Sequence, residues 1–137
     1  MNFDHAIAAH TKWRAKLRAY LAEPDGSLLA PETALDNICE LGAWISGKGA
    51  KYSDLPQFQS LRSQHARFHK AVAEVIRRVD SGQRFAEDAA LGARSEFSSA
   101  SADVVSAITS FKAEVAKQAL LGKQQRQQIA PDSVRGR

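Results

Sequence analysis

The chain has a single cysteine, Cys39, in 137 residues, so it cannot form an internal disulfide. Small secreted domains stapled by disulfides need paired cysteines, and their absence favours a reducing, cytoplasmic compartment. No window approaches the ~18 apolar residues that a membrane span requires. The first residues, MNFDHAIAAHTKW, carry an acid and histidines where a secretory signal has an uninterrupted apolar region. The sequence therefore predicts a cytoplasmic protein with no membrane association.

Several signatures of other protein classes are also missing. No alternating run of β-branched residues predicts a strand, and no segment of the chain repeats. The sequence has no Walker loop, no dinucleotide-binding glycine motif and no serine–histidine–acid set. We therefore expect an all-helical protein that is not an enzyme.

The net charge of +4 is concentrated at one end of the chain. Four basic residues and one acidic residue from residue 122 onward give that segment +3, which leaves +1 for the rest. A nucleic-acid-binding protein usually gathers its positive charge on a folded face. The polar, glutamine-rich composition of this end predicts a disordered basic tail over residues 119–137, and no nucleic-acid partner.

Apolar residues recur at steps of three and four in four segments, which predicts four helices. The first runs from Asn2 or Asp4 to about Ala22, and the second from near Pro31 to Ile45 or Ser46. The third starts at Pro56 and stops at Ser81–Gly82, and the fourth starts near Phe85. The economical arrangement is an antiparallel four-helix bundle over residues 1–118.

Metal-ligating residue types fall on the predicted inward faces of the first three helices. His10, Cys39 and His65 each belong to an apolar stripe, and His69 follows His65 by one helical turn. An H-x-x-x-H pair alone is a weak signal, and two helix histidines near a surface are the alternative. Buried imidazoles without partners would cost ~1–3 kcal/mol each, whereas three nitrogens and a thiolate suit a closed zinc site. His5 falls on another face, and we expect it to be exposed.

Two tryptophans and a glycine lie close to these residues in sequence. Trp13 follows His10 by three residues, and Trp44 follows Cys39 by five. Tryptophan at helical spacing is most often core filler. Gly42 lacks a side chain where another helix or the metal shell must come close.

The motifs His10-Thr-Lys-Trp13, Cys39-Glu-Leu-Gly-Ala-Trp44-Ile45 and His65-Ala-Arg-Phe-His69 resemble the chemoreceptor zinc-binding (CZB) domain over roughly residues 3–115. The resemblance places the three-histidine, one-cysteine Zn²⁺ site of the family on His10, Cys39, His65 and His69. It also implies an all-helical, usually homodimeric sensory module, as found in soluble bacterial chemoreceptors and zinc-regulated diguanylate cyclases. Because no signalling hairpin or cyclase domain is attached here, we expect a free-standing regulator or a sensory fragment.

The predicted function is therefore that of a zinc-binding sensory domain in bacterial signalling, of the chemotaxis or cyclic-di-GMP type. Its signal would be zinc itself or an oxidant such as hypochlorous acid, with Cys39 as the redox-sensing residue. The alternative is a scaffold in which zinc staples the helices and senses nothing. Catalysis is not expected, because four protein ligands leave no open position on the metal and no glutamate lies within the H-x-x-x-H pair.

Overall fold

The computed structural model describes residues 1–83 and 86–135, with side chains described as far as Gln124 apart from that gap. Within these residues all regular secondary structure is helical, as predicted, and no strand is present. The elements are α1 (Phe3–Thr11), α2 (Trp13–Ala22), α3 (Ala30–Thr33), α4 (Glu40–Ser46), a 3₁₀ helix (Lys48–Tyr52), α5 (Pro56–Asp80), α6 (Glu87–Leu91) and α7 (Glu96–Arg135).

The centre of the fold is the pairing of α5 with α7. Pro56 occupies the first turn of α5, where its missing N–H costs nothing, because that group has no partner within a helix. The two helices pack through aromatic contacts: the rings of Phe68 and Phe97 lie 5.8 Å apart, as do those of Phe58 and Phe111. The earlier residue of α5, Phe58, meets the later residue of α7, Phe111, and the reverse holds for the other pair. The two helices therefore run antiparallel. Residues that recur at steps of three and four along α5 form its buried face. Val79, at the end of this series, is half-buried, and the others are buried: Phe58, Leu61, His65, Phe68, Val72 and Val75.

A polar cluster joins the same two helices on their outer side. Arg67 of α5 donates to Glu96 at 2.9 Å, to Asp103 at 2.6 Å and to the Ser99 hydroxyl at 2.9 Å, all on α7. Solvent-exposed ion pairs contribute at most about 1 kcal/mol each. The cluster fixes the register of α5 on α7, while the apolar contacts supply most of the stability.

The predicted first helix is divided into α1 and α2 at Lys12. The Thr11 hydroxyl donates to the Ala8 carbonyl at 3.0 Å, which competes with the backbone ladder at this point and favours a bend. On either side of this point, α1 packs on α7 and α2 packs on α5. At the far end of α2 the Tyr20 hydroxyl donates to Asp80 at 2.6 Å.

The continuous second helix predicted from Pro31 to Ser46 is wrong. α3 ends at Thr33, α4 begins at Glu40, and the residues between them are not helical. In a continuous helix, the spacing of Leu35 and Ile38 would place them on one inward face, but they are 50% and 63% exposed. Asp36 and Asn37 favour turns over helix interiors, because their side chains compete for backbone hydrogen bonds.

Gly42 permits this break. A Cβ built at Gly42 would lie 1.6 Å from the carbonyl oxygen of Asp36. The close approach expected at Gly42 is therefore present, but the approaching group is the backbone of the preceding loop.

The carboxyl-terminal part of the chain also differs from the prediction. The start of the fourth helix near Phe85 lies outside the described residues, and α6 and α7 follow it as separate helices. α7 continues to Arg135, and the disordered basic tail over residues 119–137 stays a prediction. Residues 116–121 are exposed. The domain boundary at residue 118 stays a prediction.

The sequence predicted the fold class, the arrangement of the helices and the absence of a membrane span. The all-helical class is confirmed. The antiparallel four-helix bundle stays a prediction, because the second of its four helices is replaced by α3, a loop and α4. Among the described helices, none combines the length and the apolarity needed to cross a membrane.

Candidate metal centre

Four side chains converge where α1, the start of α4 and the middle of α5 meet. His10, Cys39, His65 and His69 each offer one ligand atom, and all four atoms lie within 4.8 Å of one another. These are the four residues that the sequence predicted as ligands. The structure brings all of them together, while their binding of a metal stays a prediction.

His10 enters the cluster from the last turn of α1 and is 3% exposed. Its Nδ1 lies 2.7 Å from the carbonyl oxygen of Ala6, one turn earlier on the same helix. Because a carbonyl oxygen only accepts hydrogen bonds, Nδ1 carries the proton and donates. The lone pair of the neutral ring is then on Nε2, which is the atom left to bind a metal.

His65 and His69 lie one turn apart on α5 and are 1% and 4% exposed. Their Nε2 atoms are 3.1 Å apart. The Nδ1 of His69 donates to the Thr33 carbonyl at 3.0 Å, which leaves its Nε2 as the ligand atom. Thr33 ends α3, so the break after α3 supplies a carbonyl that no helical N–H uses.

Cys39 is the N-cap residue of α4 and adopts an extended backbone conformation. Its Sγ lies 3.2 Å from Nε2 of His65 and 3.5 Å from Nε2 of His69, and it accepts a hydrogen bond from the Gly42 N–H at 3.4 Å. The thiol is half-buried, in contrast to the three histidines. The prediction that Cys39 lies within a helical stripe is wrong, although its side chain reaches the expected partners.

Burial favours the neutral form of every group in the cluster. Burial, aided by the nearby His69 and His10, lowers the pKa of His65 to about 3. Burial also lowers the pKa of His10 and of His69, against the opposing effect of their hydrogen bonds to backbone carbonyls. Neutral imidazole is the form that binds a metal.

The thiol responds to burial in the opposite sense. Burial raises the pKa of Cys39, and the hydrogen bonds from the Gly42 and Leu41 N–H groups oppose that rise only in part. Without a metal Cys39 is therefore a protonated thiol, whereas a bound cation would hold it as the thiolate.

The donor set fits a tetrahedral zinc ion, and so do the separations among three of its four donor atoms. Zn–N bonds of about 2.0–2.1 Å and Zn–S bonds of about 2.3 Å place the ligand atoms of a tetrahedron roughly 3.3–3.6 Å apart. The three separations among Cys39, His65 and His69 run from 3.1 to 3.5 Å. Sulfur with imidazole favours zinc over the hard cations magnesium and calcium. The separations that involve His10 lie within 4.8 Å, so the four donors suit zinc by their chemistry and three of them also by their spacing.

Other groups near the site were only partly predictable. His5 is exposed and pairs with Glu40 at 3.4 Å, and it is not among the four clustered residues. The sequence analysis missed the carbonyls of Ala6 and Thr33, which orient two of the histidines. The Ala6 contact follows from helical spacing, since it lies four residues before His10. The Thr33 contact depends on the tertiary fold, and no local signal gives it.

The fold and the cluster together define a helical domain with four clustered residues that could hold a metal ion. Residues 10–76 match the family model described as "Chemoreceptor zinc-binding domain". Over these residues the chain belongs to the chemoreceptor zinc-binding domain family, a family of zinc-binding signalling domains, as the sequence motifs indicated. The match begins at His10 and includes all four clustered residues. No curated protein and no solved structure matches the chain.

Proposed function

We propose that this protein is a zinc-binding sensory domain of bacterial signalling, and that its signal acts on the zinc–thiolate bond of Cys39. The observation that carries the proposal is the placement of one half-buried thiol against three buried imidazoles within 4.8 Å. His10, Cys39, His65 and His69 are the proposed ligands, and the proposed ion is Zn²⁺. A bound zinc ion supplies a fixed positive charge that keeps the thiol deprotonated.

The unequal burial of the ligands supports sensing at the cysteine. The histidines are at most 4% exposed, so a solute reaches the centre most readily from the side of Cys39. A thiolate attacks hypochlorous acid to give a sulfenic acid and chloride, a two-electron oxidation of the sulfur. Of the four ligands, Cys39 alone can undergo this reaction.

The loss of Cys39 as a ligand has a structural consequence. His10 lies on α1, whereas His65 and His69 share α5. The metal therefore joins three separate segments, and removal of the sulfur frees the start of α4 while both histidines of α5 keep their places. A change of ligation thus biases the position of one element against the others.

The rest of the proposal follows the composition of the chain and the family resemblance. The protein acts as a non-catalytic homodimer in the cytoplasm and binds no nucleic acid. Its output passes to a bacterial signalling protein of the chemoreceptor or diguanylate cyclase type. The signal is an oxidant such as hypochlorous acid, or the concentration of zinc itself.

The proposal is tested by titrating hypochlorous acid into the zinc-loaded protein and into Cys39→Ser. We expect the wild type to release zinc and to change its tryptophan emission while its helix content is kept. Cys39→Ser should show both responses weakly, because a serine hydroxyl is not oxidised under these conditions. A chromogenic chelator reports the zinc released, and circular dichroism reports the helix content.

Two controls separate the possible outcomes. His5→Ala removes an exposed histidine beside the site and should respond like the wild type. Equal zinc release from wild type and Cys39→Ser would refute sensing by the thiol and leave a structural staple or a sensor of zinc concentration. Unfolding of the wild type in step with zinc release would favour the alternative function, a scaffold in which zinc only staples the helices.

A further inference from the structure

The short helix α4 is held at both of its ends by contacts of different kinds. At its start, Cys39 caps the helix and its sulfur lies among the histidines of α5. Near its end, Trp44 packs into a cluster of aromatic rings. Five residues separate the two, a rise of about 7.5 Å at 1.5 Å per residue. Fewer than two turns of helix thus join the metal centre to the aromatic cluster.

Three other elements meet Trp44 in this cluster. The ring of Phe3, on α1, lies 5.5 Å away and nearly perpendicular to the indole. The ring of Phe111, on α7, lies 5.7 Å away, and that of Tyr52, on the 3₁₀ helix, lies 6.0 Å away. Edge-to-face aromatic pairs contribute ~0.5–1.5 kcal/mol each beyond the area that they bury. The indole of Trp44 therefore joins α4 to the start of α1 and to the interior of α7.

Gly49 lies directly against the indole of Trp44. A Cβ at Gly49 would lie 2.8 Å from the Cε3 and Cζ3 atoms of Trp44. No side chain other than hydrogen fits there unless the indole moves. The position of Trp44, and with it the position of α4, thus depends on a glycine in the next element of the chain.

We propose that Trp44 is a positioning residue that holds the Cys39 sulfur in place for metal binding, and that it couples ligation by Cys39 to the packing of α4 on α7. The proposal rests on the proposed function, since it requires Cys39 to be a ligand. α4 is too short to bend between its ends, so a shift at Trp44 displaces the sulfur. By linkage the reverse also holds: a bound metal that fixes Cys39 stabilises the aromatic contacts of Trp44.

The second tryptophan provides a matched contrast. Trp13 is half-buried like Trp44, but it lies at the start of α2, and the ammonium of Lys16 sits 4.7 Å from its ring. It has no ring partner among the aromatic pairs of the described residues. Although Trp13 is nearer to His10 in sequence, Trp44 is therefore the residue whose emission responds to the metal.

The test uses Co²⁺ as a probe, because a thiolate bound to cobalt gives a charge-transfer band in the near ultraviolet. Wild type, Trp44→Ala, Trp44→Phe and Trp13→Phe are titrated with Co²⁺. We expect Trp44→Ala to lose at least about tenfold in affinity, the lower end of the effect of groups that orient metal ligands. Trp44→Phe should recover part of the loss, and Trp13→Phe should bind like the wild type.

A second readout distinguishes positioning from a general loss of stability. The thiol of the metal-free protein is labelled with a chromogenic disulfide reagent, and helix content is followed by circular dichroism. Trp44→Ala should label several-fold faster at unchanged helix content, because α4 is no longer held. If Trp44→Ala fails to fold, Gly49→Ala, which displaces the indole without removing it, must show the same two effects.

The two hypotheses fail in different ways. Absence of the thiolate band in the wild type would refute the proposed function itself. A normal band in the wild type, together with wild-type affinity and labelling rate in Trp44→Ala or Gly49→Ala, would overturn the positioning role alone. Equal loss in Trp13→Phe and Trp44→Phe would overturn it as well.

Discussion

At the scale of single residues, the candidate centre is built from ligands whose orientation depends on backbone groups. Carbonyls of Ala6 and Thr33 hold the Nδ1 atoms of two histidines, and the N–H of Gly42 donates to the sulfur of Cys39. Such second partners fix the tautomer and the direction of a ligand before any metal arrives. The chemistry of the four ligands could be predicted from residue type and spacing. Their backbone partners could not, apart from the carbonyl one turn before His10.

Gly42 carries a prediction at this scale. Gly42→Ala should destabilise the protein by about 1–3 kcal/mol, the usual cost of forcing atoms into a packed site. The added Cβ would overlap the Asp36 carbonyl and push the loop before Cys39 away from α4. Urea denaturation of the metal-free protein measures the loss, and zinc affinity should fall with it.

The control for this change is the next residue. Ala43 is exposed on the same helix, so Ala43→Ser should alter stability by a few tenths of a kcal/mol at most. Wild-type stability and zinc affinity in Gly42→Ala would contradict the role assigned to the contact with Asp36.

At the scale of the helices, periodicity predicted the elements whose environment is uniform along their length. α5 buries one face from Phe58 to Ile76, so its apolar residues recur at a constant helical spacing. The segment between Pro31 and Ser46 does not bury one continuous face. Leu35 and Ile38 have the spacing of an inward helix face in the sequence, but they are exposed and lie on a loop. The break between α3 and α4 satisfies two tertiary requirements: it leaves the Thr33 carbonyl at the end of α3 free for His69, and it places Cys39 as the cap of α4. A periodic pattern does not encode these contacts.

The end of α7 gives a second prediction. Deletion of residues 122–137 should leave the melting temperature and the zinc affinity unchanged. The helix has left the body of the protein before this point, since Leu120 and Leu121 are 57% and 43% exposed. Thermal denaturation followed by circular dichroism measures the effect.

A longer deletion provides the comparison. Removal of residues 108–137 takes away the buried Ile108 and Phe111, and should prevent cooperative folding. A large fall in melting temperature on the shorter deletion would mean that the end of α7 packs against the protein, contrary to the exposure of residues 116–121.

At the scale of the whole molecule, the apolar core and the candidate metal centre have separate roles. The core joins α5 to α7 and carries the aromatic contacts along both. The metal centre joins α1 and the start of α4 to α5, and its ligands come from distant parts of the sequence. Under the proposed function, a change at the metal would move α4 while the α5–α7 pair is kept. The output partner and the homodimer stay predictions of the family resemblance.

The central claim is that three histidines and Cys39 together hold one zinc ion. X-ray absorption at the zinc K-edge of the loaded protein tests it most directly. The account predicts one zinc per chain with one sulfur at about 2.3 Å and three nitrogens at about 2.0–2.1 Å. Cys39→Ser should lose the sulfur shell, and His5→Ala should give the wild-type spectrum. A wild-type spectrum without sulfur, or a sulfur shell that persists in Cys39→Ser, would contradict the account.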